Sequence, residues 1–227
     1  MFRWLKRLVT FLILAWAAIA ALVAYLLSQM LRERFGRGGP MPASQAGMLL
    51  TPARRFVHPA RDTLESFGLR AGETVLEIGP GPGYFTIEAG RMVGANGRVL
   101  CIDVQPGMIA ILRERLATAG VTNACPIVAD AARLPLAANA IDRCFMVTVL
   151  GEIPDRPRAM AELYRVLRPA ATLSVLESLG DPDYMIEPHT RDIARASGFE
   201  VQEHRPTRLG YTMTLGRPSQ HNATTAR

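Results

Sequence analysis

The chain has 227 residues, 49% of them hydrophobic and 20% charged, with a formal net charge of +6. That length suits one α/β domain with an appendage. The basic balance fits either nucleic acid or an anionic membrane surface. Cys101, Cys125 and Cys144 are odd in number and lack zinc-site or redox-motif spacing, which excludes a disulfide framework and points to reduced thiols in a cytosol-facing domain.

Residues 8–31 carry no charge across 24 positions. A helix of that length rises roughly 36 Å, enough to cross a hydrocarbon core of about 30 Å. Trp4 and Tyr25 are suited to the interfaces, whereas Trp16 would lie mid-bilayer. A cleaved signal peptide is the alternative, because Arg3, Lys6 and Arg7 form a basic start and Ala18-Ile19-Ala20 a small-residue cleavage site. The apolar run continues about ten residues past that site, which favours an uncleaved anchor over residues 1–31. Arg32, Arg34, Arg37, Arg54, Arg55 and Arg61 follow the span, and their excess over the three basic residues before it places the C-terminal side in the cytoplasm. Residues 32–54 are expected to be a flexible basic linker, rich in Gly, Pro, Ala and Ser, whose flanking arginines can rest on anionic headgroups.

From residue 55 the pattern alternates between helix and strand. Phe56, Ala60, Leu64 and Phe67 share one helical face up to Gly68, with Pro59 in the first turn. Val75–Ile78 is the first strand and Glu88–Val93 a short helix stopped by Gly94. Arg98–Val104 is the second strand, and Pro106-Gly107 opens a helix that runs to Gly120. Pro126–Ala129 is the third strand. Arg143–Leu150 is the fourth, nearly all apolar and therefore central and buried on both faces. A helix from Pro157 to Leu167 stops at Arg168-Pro169, and Thr172–Leu176 is the fifth strand. A helix over Thr190–Ala196 precedes two last strands, Glu200–Arg205 and Tyr211–Leu215. Their short connection is too brief for a parallel crossover, so they pair as a hairpin. The expected fold is a Rossmann-like, doubly wound, mostly parallel seven-stranded sheet over residues 55–216 with an antiparallel last strand. Residues 217–227 read as a disordered tail.

The chemistry gathers at the C-terminal ends of the strands. Residues 75–86, VLEIGPGPGYFT, place an acid inside a strand that breaks into three alternating glycines and resumes as a helix. Asp103 ends the second strand, where a carboxylate can accept both hydroxyls of a ribose, although Asp is also common in such turns. Asp130 ends the third, where it can accept from an exocyclic amine or cap a helix. Pro80 and Pro82 remove two N–H donors from the loop, so a pyrophosphate fits poorly. An adenosine with a cationic or zwitterionic tail fits better, with Glu77 holding an amino group.

These stretches resemble the class I S-adenosylmethionine-dependent methyltransferases, of the group that includes quinone and phospholipid methyltransferases. VLEIGPGPGYFT is similar to the family's first motif, CIDVQPGM to its acidic second, and ADAARLPL to its third. AIDRCFMVTVLGEIPDRPRAMAELYRVLRPAATLSVLES is similar to the stretch from fourth to fifth strand, and the resemblance spans about residues 69–215. It implies S-adenosylmethionine as cofactor. It also implies Glu77, Gly79, Gly81, Gly83 and Tyr84 around the methionine part, Asp103 with Val104 at the ribose, Asp130 with Ala131 at the adenine, and Thr148 on the methyl side. The chain departs from relatives that carry Gly-Gly where it has Ala170-Ala171, and from those with a histidine where it has Gly151-Glu152.

The sulfonium is already activated, so transfer needs proximity, a desolvated nucleophile and, for some acceptors, a base. Candidate bases are Glu152, Asp155, Glu177, Tyr184 and His189, with Glu152 first because it follows the central strand directly. No metal-ligand spacing is present, and none is required. The expected activity is transfer of a methyl group to a small lipophilic acceptor (a quinone precursor, a phospholipid headgroup or similar) by a single-pass membrane protein whose catalytic domain faces the cytoplasm. A non-catalytic, membrane-tethered assembly partner with the same fold is the other reading. Nucleic acid is disfavoured, because the basic residues cluster near the span rather than along the fold.

Overall fold

The computed structural model describes residues 2–35, 39–207 and 209–219. The chain divides into two units, residues 1–38 and 39–227. The first is one helix, α1 (Phe2–Phe35). Within it Val9–Leu27, 19 residues with a mean hydropathy of 2.4, is long and apolar enough to cross a membrane, and none of that stretch is buried. Trp16 is 73% exposed.

The second unit is a seven-stranded sheet in the order β3-β2-β1-β4-β5-β7-β6. The strands are β1 (Thr74–Ile78), β2 (Arg98–Asp103), β3 (Ala124–Val128), β4 (Ile141–Val147), β5 (Leu167–Ser178), β6 (Glu200–Thr207) and β7 (Gly210–Gly216). β1 to β5 pair in parallel, whereas β7 runs antiparallel to both neighbours. The hairpin expected at the end is present, with the last strand inserted between β5 and the edge strand β6. β4 is the middle strand, as its apolar run predicts.

The helices of this unit are α2 (Pro52–Val57), α3 (Ala60–Ser66), α4 (Thr86–Val93), α5 (Pro106–Ala119), α6 (Arg156–Val166) and α7 (Glu187–Ala196). They cover both faces because successive side chains on each strand point to opposite sides. Leu76, Ile78, Cys144 and Met146 pack with Met160 and Leu163 of α6 on one face. Val75, Phe145 and Val147 pack with Leu64, Ala89 and Leu112, from α3, α4 and α5, on the other. Glu77 shares the second face with Val75, so an acid enters a layer of apolar neighbours. Cys101 and Cys144 are buried free thiols and Cys125 is exposed.

Four expectations differ from the structure. Residues 43–57, read as linker and the start of a helix, form a 3₁₀ helix (Ala43–Leu50) and then α2, with Thr51 between them. Small residues hide a helix from a compositional reading, but Ala46 is buried and Leu49 and Leu50 are half-buried. Residues 36–38 of that linker lie outside the described residues. The single helix expected across Pro59 is two, α2 and α3, because proline has no N–H to continue the first and serves instead as the N-cap of the second. At Arg168-Pro169 the chain passes directly from α6 into β5. Between the pairs Ile141–Leu167 and Arg143–Thr172, residues 168–171 oppose the single residue 142, and Ala170 takes φ +64° to make that bulge. Finally, Arg217 belongs to the fold: it exchanges backbone hydrogen bonds with Ala170 and Ala171 and lies 4.6 Å from the Tyr164 ring. Residues 220–227 of the expected tail lie outside the described residues.

Candidate active site

The strand order reverses between β1 and β4, and a crevice opens beyond their C-terminal ends. There the structure has a cavity of about 280 Å³, predominantly apolar in its lining. A few polar groups converging on an apolar cleft is the usual form of a small-molecule site.

The floor is the glycine loop. Gly79 leaves β1 at φ +66°, and its N–H donates to the Ile102 carbonyl at 2.8 Å. A Cβ there would lie 2.4 Å from Val149 Cγ2, so both the backbone conformation and the closeness of the loop after β4 require glycine. Gly83 is held behind the loop, where a Cβ would meet Leu112 Cδ1 at 2.4 Å. Among the expected cofactor residues, Gly83 does not reach the cavity wall and shapes the turn from beneath.

The acids at the strand ends are arranged around this floor. Glu77 is 3% exposed and its Oε2 accepts from Thr86 Oγ1 at 2.6 Å. Burial pushes its pKa up to about 8, against the lowering effect of the Thr86 hydroxyl and the Arg54 charge. A carboxyl held this way is an incomplete site: a cation placed beside it would restore its ionised form. Asp103 accepts from Gln105 N at 2.9 Å and Gly81 N at 3.3 Å, which ties the glycine loop to the end of β2. Asp130 accepts from Ala132 N at 2.8 Å and lines the cavity together with Ala131 and Val104. Asp130 closes a turn rather than capping a helix, and it lines the crevice.

The opposite end is built from the loops after β4 and β5. Thr148 takes φ +54°, a costly conformation for a β-branched residue, while its N–H remains paired with the Leu176 carbonyl. The Thr148 side chain favours the ionised form of Asp181, whose carboxylate accepts from Asp183 N at 2.7 Å. Glu152 lines the same end, and its pKa rises to about 8, chiefly through burial and then through the charges of Asp181, Asp183 and Asp103. Val149, Ile153 and Pro154 give its surroundings their apolar character.

The segment that precedes the sheet covers part of this cavity. Pro40, Met41, Leu49 and Arg54 all line it. The Met41 carbonyl accepts from Gln105 Nε2 at 2.8 Å, and its backbone weakly favours the ionised form of Glu152. Arg54, expected at lipid headgroups, instead lies with its Cζ 5.4 Å from the Tyr84 ring and 5.6 Å from the Phe85 ring. Arg61, another of those arginines, pairs with Glu65 and Glu88.

Of the candidate bases, Glu152 lines the cavity and the other four do not. Asp155 caps α6 through Arg158 N, and His189 is exposed on α7. Glu177 is buried behind the loop and accepts from Met185 N, while the Tyr184 ring packs edge-on against Tyr211. Two charged residues of the cavity escaped the sequence reading. Asp181 sits in a turn with no motif around it, and Arg54 lies in a stretch whose composition reads as spacer. Among the described residues no group of His, Cys, Asp and Glu is arranged to hold a metal ion.

A carboxyl whose ionised form burial disfavours, a glycine cradle that a Cβ would fill and two prolines without N–H donors fit an adenosine with an amino-acid tail better than a diphosphate. The comparisons with known proteins point the same way. Residues 75–170 match the model of a family described as a methyltransferase domain. The chain is 36% identical over 118 residues to the ubiquinone/menaquinone biosynthesis C-methyltransferase UbiE of Marinomonas sp. (strain MWYL1), covering 52% of this chain and 47% of that protein. The same figures describe its likeness to UbiE of Klebsiella pneumoniae (strain 342). The chain thus spans about half the length of the curated relatives it matches. Among solved structures, a SAM dependent methyltransferase from Aquifex aeolicus superposes with a TM-score of 0.72 at 25% identity, over 78% of this chain and 99% of that one. The cyclase SpnF superposes at 0.63 with 19% identity, over 74% and 81%, a likeness of fold alone. The sheet order, the strand-end acids and these relatives together support a class I S-adenosylmethionine-dependent methyltransferase with S-adenosylmethionine as its cofactor.

Proposed function

We propose that the protein is a membrane-anchored methyltransferase that acts on a small lipophilic acceptor of quinol type, with Glu152 as the base. The observation that carries this reading is Glu152 itself: a carboxyl with a pKa of about 8, in an apolar corner at the end of the central strand. A base with a pKa near the working pH is suited to taking a proton from a ring hydroxyl. The printed activity of the UbiE relatives and the apolar helix over Val9–Leu27 support an acceptor drawn from the bilayer. Tethering raises the local concentration of such an acceptor.

In this reading Glu77 holds the cofactor's ammonium, Gly79 and Gly81 let its tail approach the backbone, and Tyr84 closes that end. Asp103 and Val104 receive the ribose, Asp130 and Ala131 the adenine, and Thr148 borders the methyl group. Bound there, S-adenosylmethionine supplies a methyl group on an activated sulfonium. Val149, Ile153 and Pro154 exclude water from the acceptor, which raises the reactivity of its anion. Glu152 would accept the hydroxyl proton. Transfer of the methyl from the sulfonium to a ring carbon would leave the bonding pair on the thioether sulfur. Loss of that carbon's own hydrogen as a proton, with return of a proton to the oxygen, gives a net exchange of one ring hydrogen for a methyl group and release of one proton. Asp181 and Asp183 keep Glu152 basic by disfavouring its charge.

The test is incubation of the purified full chain, in detergent, with labelled S-adenosylmethionine and a membrane lipid extract. Label in the quinol fraction, lost in Glu152→Gln, is expected. Absence of label from every lipid fraction would overturn the acceptor class. Label in phospholipid would move the acceptor to a headgroup. Flotation of the chain with vesicles at high salt tests the anchor, and a mature protein beginning after Ala20 would overturn it. The excess of arginines after the span supports a cytoplasmic catalytic domain, which protease protection of that domain in right-side-out membranes checks.

A further inference from the structure

The amino-acid tail of the cofactor carries a carboxylate as well as an ammonium, and the loop beneath it is poor in donors. Pro80 and Pro82 have no N–H, Gly79 N is paired with Ile102, Gly81 N with Asp103, and Gly83 N with the Pro80 carbonyl at 2.9 Å. The cavity wall is otherwise acidic, with Glu77, Asp103, Asp130, Glu152 and Asp181 upon it. A second negative charge entering such a space needs a cation. Among the described residues of the lining, Arg54 is the one that supplies it.

Arg54 is built into position. Its guanidinium rests against the rings of Tyr84 and Phe85, and the Tyr84 hydroxyl donates to the His58 carbonyl at 3.0 Å, at the C-terminus of α2. The residue after the glycine loop therefore holds both Arg54 and the helix that bears it. Arg54 shares the cavity wall with Glu77, the acid expected to hold the ammonium, and Tyr84, Asp181, Glu77 and His58 all interact electrostatically with it. Its Nε is buried and has no acceptor. A buried N–H of a cation without an acceptor is costly and marks a place where a ligand oxygen belongs.

We infer that Arg54 binds the α-carboxylate of S-adenosylmethionine, so that the zwitterionic tail is held between Glu77 on β1 and Arg54 on the segment that precedes the sheet. The inference rests on the cofactor assignment. It makes α2 part of the cofactor site, and it distinguishes amino-acid-bearing adenosines from those that lack the carboxylate.

The test is calorimetric, on the full chain in detergent, with S-adenosylhomocysteine and its decarboxylated analogue. Wild type should bind the analogue about 30-fold more weakly, the scale of a lost buried charge pair. Arg54→Met should weaken S-adenosylhomocysteine about 30-fold and the analogue less than about 3-fold, and Arg54→Lys should recover part of the difference. Equal wild-type affinity for the two ligands would overturn the inference and needs no variant to fold. Equal weakening of both ligands by Arg54→Met would assign Arg54 a structural role and overturn it as well. Unchanged affinity for S-adenosylhomocysteine in Arg54→Met would give the guanidinium to the acceptor instead. Failure of folded wild type to bind S-adenosylhomocysteine would overturn the cofactor assignment, and this inference with it.

Discussion

The two ends of the cavity are built in different ways. At the cofactor end, one loop of five residues and the termini of three neighbouring strands supply most of the wall, and each polar group is pinned by a short-range bond: Glu77 by Thr86, Asp103 by Gln105, Asp130 by Ala132. At the acceptor end, Thr148 with Glu152, Asp181 and Met41 come from three places in the chain, and the carboxyls of Glu152, Asp181 and Asp183 crowd one another. The first end is a rigid cradle. The second is electrostatically poised, because burial and neighbouring carboxylates raise the pKa values of Glu152 and Asp181. The difference separates binding from chemistry, and it can be broken experimentally one end at a time.

The largest expected effect is at the cradle. Gly81→Arg puts a long side chain at φ +52° into the cavity, against Leu49, and should abolish measurable binding of S-adenosylhomocysteine while circular dichroism stays native. Next comes the acceptor end. Glu152→Gln should lower kcat by about 10²–10⁴-fold and change the affinity for S-adenosylhomocysteine by less than about 3-fold. Wild-type kcat should rise with pH through about 8, as the carboxyl loses its proton, and the variant should lose that rise. Equal losses of binding and turnover in Glu152→Gln would erase the distinction between the two ends.

A smaller effect concerns stability. Glu77, Glu152 and Glu177 have ordinary values near 4.5 and folded values of about 8. Between those pH values the folded protein retains protons that the unfolded chain has released, so these groups lower stability as pH rises from about 4.5 to 8, and their effect is level above that. The thermal midpoint of the ligand-free protein should therefore fall across this window. Glu152→Gln should flatten the slope at the acceptor end, and S-adenosylhomocysteine should flatten it at Glu77. The smallest effect lies outside the cavity. Ala170→Gly relieves a left-handed alanine and should stabilise by about 0.5–1 kcal/mol in denaturant titration, with ligand affinity unchanged.

The two ends were also unequally legible. VLEIGPGPGYFT carries a strand, its turn and the acid that faces the ligand within twelve residues, so local chemistry discloses the cradle. Asp103 and Asp130 are legible for a related reason, since each closes a short β-rich run at the point where a parallel strand must leave the sheet. Thr148 and Glu152 follow the most apolar strand and could be placed, although the positive φ of Thr148 has no signature in a β-branched residue. Asp181 and Arg54 were not legible, because neither repeats, neither lies in a motif, and each works only through what it meets in space.

By itself the sequence determined the alternation of strands and helices, the antiparallel ending, the apolar span and the kind of ligand the glycine loop accepts. These follow from side-chain periodicity and from backbone restrictions that act over a few residues. Only the tertiary structure decided that residues 43–57 are helical and border the cavity, that Arg54 faces Tyr84 rather than a lipid surface, and that Glu152 and Asp181 share one acidic corner. Those outcomes depend on long-range packing and on desolvation, and both arise only when distant segments close around the same volume.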